Sequence, residues 1–146
     1  MKPLFIVLLS PLGVKVYFDE LKKTRSILKN PREQIVDIVE GFSEVLITSA
    51  ESTNLKLEVR GVLFAQYLVN QDQNGRLAIN CKAKPGIAFD FVDQNPVLYH
   101  IPKHLGKKGW LGIWVDQPNV NWSEIKAILF DAYRIVAPKS LLKNQP

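Results

Sequence analysis

The chain has 146 residues, 47% of them apolar, 10% aromatic and 23% charged, a composition that fits one globular domain and excludes a fibrous or disordered chain. Nineteen Lys and Arg against 14 Asp and Glu leave a formal charge of +5, so acidic partners, nucleic acid first among them, are favoured over basic ones. The single cysteine, Cys81, excludes an intrachain disulfide and a CxxC redox or zinc motif, in keeping with a reducing, cytoplasmic location.

Residues 1–29 read as an N-terminal extension and residues 30–146 as the folded domain. The apolar run at residues 3–9 is far shorter than the ~20 residues a membrane span needs. Pro11 and Gly13 break it, and no small-x-small cleavage site follows, so an added strand, or a start codon assigned too early, is expected rather than a signal peptide or a membrane segment. Phe18, Leu21, Arg25 and Leu28 share one face of a short helix expected over residues 17–28.

From Asn30 the local signals agree with one another. Asn30 suits an N-cap, Pro31 the first helical position, and Glu33 the third position of a capping box. Ile35, Ile38, Val39 and Phe42 follow at helical spacing, with Gly41 placed to end the helix. Residues 45–50 are β-rich and residues 51–54 read as a turn. Leu55, Leu57 and Val59 then alternate with Lys56, Glu58 and Arg60, which predicts a strand buried on one face and wet on the other. Gly61, preceded by Arg60, predicts a tight hairpin or a bulge before the more apolar strand of residues 62–70. Asn74-Gly75 supplies a further turn, after which Leu77, Ile79 and Cys81 point inward and Arg76, Asn80 and Lys82 outward. An antiparallel meander is the economical arrangement of these strands.

Lys84-Pro85-Gly86 ends the meander. Residues 87–96 fit either a short helix or a loop, residues 98–101 a short strand, and residues 102–109 an exposed basic loop. In residues 110–116, Leu111, Ile113 and Val115 alternate with Trp110, Gly112 and Trp114, so the second face of this strand is expected to be covered as well. Asn121 and Glu124 repeat the capping-box pattern. Ile125, Ile128, Leu129, Ala132, Ile135 and Val136 form an apolar stripe that Pro138 stops.

Four strings in order, VRGVLFAQYLV at residues 59–69, NCKAKPG at 80–86, GWLGIWVD at 109–116 and DAYRIVAPKSL at 131–141, resemble the MmcQ/YjbR family of small bacterial proteins over roughly residues 30–142. The resemblance implies a two-layer α+β fold of the CyaY-like, double-wing type, an antiparallel sheet with helices packed on one face. It also implies a non-enzymatic protein of DNA-binding label, with no catalytic residue set and no cofactor. The N-terminal extension departs from the common pattern.

The candidate nucleic-acid residues are Arg60, Arg76, Lys82, Lys84, Lys103, Lys107 and Lys108. If the loops at residues 82–86 and 102–109 meet at one edge, their lysines neutralise phosphates and give sequence-independent, salt-sensitive affinity. The competing reading makes them solvated charges, with Arg134 and Lys139 complementing a helix dipole. Trp110 and Trp114 carry the alternative function, an aromatic pocket in a protein-interaction or small-ligand module, against the plainer expectation that both are core. His100, His104 and Cys81 are the only metal-type set, short of the three or four convergent ligands that zinc takes, so no metal is expected. No spacing supports a Cys–His pair oriented by Asp90 or Asp116, and phosphate-loop, H-E-x-x-H and G-x-S-x-G strings are absent. Nothing in the sequence specifies an oligomeric state.

Overall fold

The computed structural model describes residues 29–49 and 53–143, with the Asp72 side chain left out. The sheet and the helices that follow its strands belong to one unit, Ile35–Pro146. The elements expected over residues 3–9 and 17–28 lie outside the described residues.

Helix α1, Pro31–Val39, begins as the sequence predicts, with the Glu33 amide donating to Asn30 Oδ1 at 2.8 Å. The Asn30 side-chain amide, rather than its backbone N–H, donates to the Glu33 carboxylate. The helix ends two residues before Gly41, and Phe42 lies beyond it. There Phe42 packs against Phe130 and Tyr133, with ring centroids 5.3 and 5.2 Å apart.

Six antiparallel strands follow, β1 Val45–Thr48, β2 Leu55–Val59, β3 Val62–Val69, β4 Leu77–Cys81, β5 Tyr99–His100 and β6 Leu111–Trp114, in the order β1-β2-β3-β4-β6-β5. The expected meander is therefore β1 to β4. Both sequence readings of Gly61 hold in part. Val59 pairs with Val62 across a two-residue turn in which Arg60 and Gly61 both take positive φ, 50° and 79°, the geometry whose twist matches that of the flanking strands. A bulge then falls nearby, where Leu57 pairs with Ala65 but Glu58 with Leu63. The extra residue is Phe64, which the bulge turns into the core, edge-on to Tyr133 at 5.7 Å.

One face of the sheet packs against the helices. Leu55, Tyr67, Ile79, Ile113 and Tyr99 form one cross-strand row, and Leu57, Ala65, Cys81 and Leu111 the next. Helix α2, Ile87–Gln94, packs on β5 and β6, and helix α3, Trp122–Val136, on β3. Asn121 caps α3 by accepting the Glu124 amide at 3.1 Å. The helix buries Ile125, Ile128, Leu129, Ala132 and Tyr133, and Tyr133 donates to the Ser43 carbonyl at 2.8 Å. Ile135, expected in the buried stripe, is 42% exposed, since its position turns it off the sheet toward the loops. Beyond Pro138 a short helix α4, Lys139–Leu142, forms that the sequence does not announce. Of residues 87–96, Ile87–Gln94 form a helix, and the basic loop holds a 3-10 turn at Gly106–Lys108. The fold is the expected α+β arrangement, an open antiparallel sheet with helices on one face.

Candidate functional site

The opposite face of the sheet carries no helix among the described residues and is lined by a mixture of polar and apolar side chains. Register places Lys56, Gln66, Asn80, Gly112 and His100 in one row across five strands, with Leu68, Ala78 and Trp114 in the adjacent row. Gly112 is required here, because any side chain would collide with the His100 ring lying over it. That ring stacks on Trp114 at 3.9 Å and 18°. The Arg76 guanidinium sits 4.0 Å from the same tryptophan. Arg76 Nε and Nη2 also donate to Asp116 at 2.8 and 2.9 Å, and Asp116 accepts the Leu77 amide as well. These bonds hold the Asp116 carboxyl below its usual pKa. Burial, with Arg76 nearby, pushes the His100 imidazole down to about 4, so it is neutral near pH 7.

These strands and the loop from Ile101 to Leu105 enclose a cleft of about 560 Å³. Arg76, Lys103 and Trp114 line it together. The other basic candidates lie elsewhere. Lys82 and Lys108 line a concavity of about 530 Å³ with Trp110 and residues 61–63 of the β2–β3 hairpin. The loops carrying them do approach each other, a Cβ at Gly109 falling 3.9 Å from the Ala83 carbonyl. Lys82 and Lys84 line a third hollow of about 380 Å³ with Arg134 and Asp131. Lys107 is exposed beside Lys108 in the 3-10 turn. Arg60, at the hairpin, is engaged by Glu44 through Nε and Nη2 at 2.9 and 3.0 Å.

The seven basic candidates thus separate into a lysine rim, an arginine–lysine pair on the sheet face and an ion-paired arginine at the hairpin. Trp110 and Trp114 part company too. Trp110 is 4% exposed and lines the lysine concavity, whereas Trp114 lines the sheet-face cleft, so the pocket that both were to share does not form. Cys81 is fully buried and desolvation pushes its thiol up to about 12, leaving it protonated and unreachable. It points into the core, while His100 in the neighbouring strand row points to the opposite face, which precludes a Cys–His dyad. Asp116 is committed to Arg76. Among the described residues, no group of three or more His, Cys, Asp or Glu converges as a metal site, and no helix is long and apolar enough to cross a membrane.

The floor of the cleft, Gln66 and Asn80 above all, did not stand out in the sequence, where it reads as the solvated half of an alternation. Two signals pointed to it: a glycine inside a strand, Gly112, and an uncharged amide, Asn80, between two core residues.

The family model for YjbR matches residues 38–135. The chain belongs to the YjbR family. The matched span runs from the end of α1 to the last turn of α3 and so includes the whole YjbR sheet and both flanking loops. The crystal structure of the Deinococcus radiodurans protein DR2400, which carries a DUF419 domain, superposes on this YjbR chain with a TM-score of 0.60 at 19% identity, covering 76% of this chain and 84% of that one. At that identity the likeness concerns the fold. No curated protein matches this YjbR chain.

Proposed function

We propose that the protein is a non-enzymatic, cytoplasmic nucleic-acid-binding domain that holds a phosphate backbone along the rim of Lys82, Lys84, Lys107 and Lys108. The observation that carries this reading is that Lys82 and Lys108, from loops 26 residues apart in sequence, line one concavity with no acidic residue among its described lining. Lysines so placed act as point charges toward phosphate and need no base contact. The net charge of +5 and the DNA-binding label associated with folds of this shape point the same way, the latter by analogy alone. Arg60 and Arg76 leave the set because each already satisfies a carboxylate of its own chain. The burial of Cys81, the only thiol, supports a non-catalytic role.

The test is a titration of labelled duplex DNA at several salt concentrations. Binding at low salt that weakens with a log–log slope of about −0.9 per phosphate neutralised is expected. Absence of binding at low salt, or binding without a salt slope, contradicts the reading.

A further inference from the structure

Nucleic-acid binding at the lysine rim leaves the sheet-face cleft without a role, and the cleft has the marks of a built site. Asn80 lies on its floor, 6% exposed, and its Oδ1 has no hydrogen-bond partner. His100 Nδ1, on the same row of the sheet, is likewise buried without a partner. A buried polar atom left unpaired costs about 1–3 kcal/mol, and native structures keep few of them without a reason. Two on one floor, beside a cleft of about 560 Å³ that falls within the ~300–1,000 Å³ span of small-molecule sites, are explained together if a ligand supplies the missing partners.

The lining defines the chemistry of that ligand. Lys56, Arg76 and Lys103 are cationic and none of the described lining residues is acidic. Arg76 is paired with Asp116, so the free positive charge is that of the lysines, which attract an anion such as phosphate as point charges. Gln66 and Asn80 are amides suited to hydroxyl groups, each able to donate and accept. Trp114 is already engaged by His100 and Arg76, which argues against a stacked nucleobase.

We infer that the cleft binds a small phosphorylated polyol, such as a sugar monophosphate, with Lys103 attracting the phosphate and Asn80 and Gln66 reading the hydroxyls. The site is separate from the lysine rim, so its ligand does not compete with DNA for the same residues.

Isothermal titration of the full chain with ribose phosphate, ribose and inorganic phosphate tests this. Ribose phosphate is expected to bind saturably, with each fragment alone at least about tenfold weaker, the loss of one charged or several neutral hydrogen bonds. Lys103→Glu, at an exposed position, should weaken ribose phosphate by about tenfold or more. Gln66→Ala should weaken it less, both variants should keep the wild-type melting temperature, and Gln66→Ala, which leaves the charge unchanged, should keep the wild-type DNA titration. No saturable binding of ribose phosphate at millimolar concentration overturns the inference. So does equal binding of inorganic phosphate alone, or a Lys103→Glu variant that binds like wild type.

Discussion

Gly112 shows how much a single missing side chain decides. Its Cα–H surface is the bed on which the His100 ring lies, and that ring in turn lies on Trp114. Gly112→Ala must push the imidazole out of its stack, and overpacking of this kind costs typically about 1–3 kcal/mol. A lowered midpoint in urea, with unchanged slope, is the expected result. His100 itself makes stability depend on pH. Its pKa falls from an ordinary 6.5 to about 4 in the folded chain, so the unfolded state binds the proton more readily. The stabilisation is complete above about pH 6.5 and is lost as pH falls toward 4. Because the ring is only half-buried, screening leaves roughly 1–2 kcal/mol of effect. Thermal melts of wild type and His100→Gln should converge as pH drops from 7 to 4, and parallel pH profiles would contradict this assignment.

At the level of elements, the parts that local chemistry specifies were legible and those that depend on remote partners were not. Both asparagine N-caps, the two-residue turn at Arg60-Gly61 and the alternation in β2 follow from neighbours in the chain. Neither capping box closes through the N-cap backbone N–H: the Glu33 carboxylate takes the Asn30 side-chain amide and the Glu124 carboxylate the Tyr99 hydroxyl. Helix α3 depends on such a cap, and Asn121→Ala should cost about 0.5–2 kcal/mol, read from chemical denaturation. The place of the bulge, at Phe64 rather than at Gly61, escaped the sequence reading because it answers to Tyr133, far along the chain. The exposure of Ile135 was hidden for a related reason: the stripe shows periodicity, but the width of the face that the sheet covers is set by packing. The cleft combines both difficulties. Its floor is the outward half of five strands, and its wall is a loop that reaches it only because β5 pairs outside β6. The Arg76–Asp116 pair joins residues 40 positions apart, beyond any local pattern, so Arg76 looked like a free cation in the sequence.

For the molecule as a whole, the +5 charge is less informative than its distribution. Two arginines are spent within the fold, Arg60 on Glu44 and Arg76 on Asp116. Of the lysines, Lys82, Lys84, Lys107 and Lys108 belong to the rim and Lys56 and Lys103 to the sheet-face cleft. The rim was partly legible, since the loop lysines stand out in sequence, but only the approach of the two loops brings Lys82 and Lys108 to one concavity. The measurement that tests this most directly is the salt dependence of duplex DNA binding in wild type, in Lys82→Ala/Lys108→Ala and in Arg60→Ala. Each lysine that neutralises a phosphate contributes about 0.9 to the log–log slope, so the double variant should lose about 1.8 from the slope and bind weakly at low salt, while Arg60→Ala keeps the wild-type slope. Equal slopes in wild type and the double variant would contradict the account.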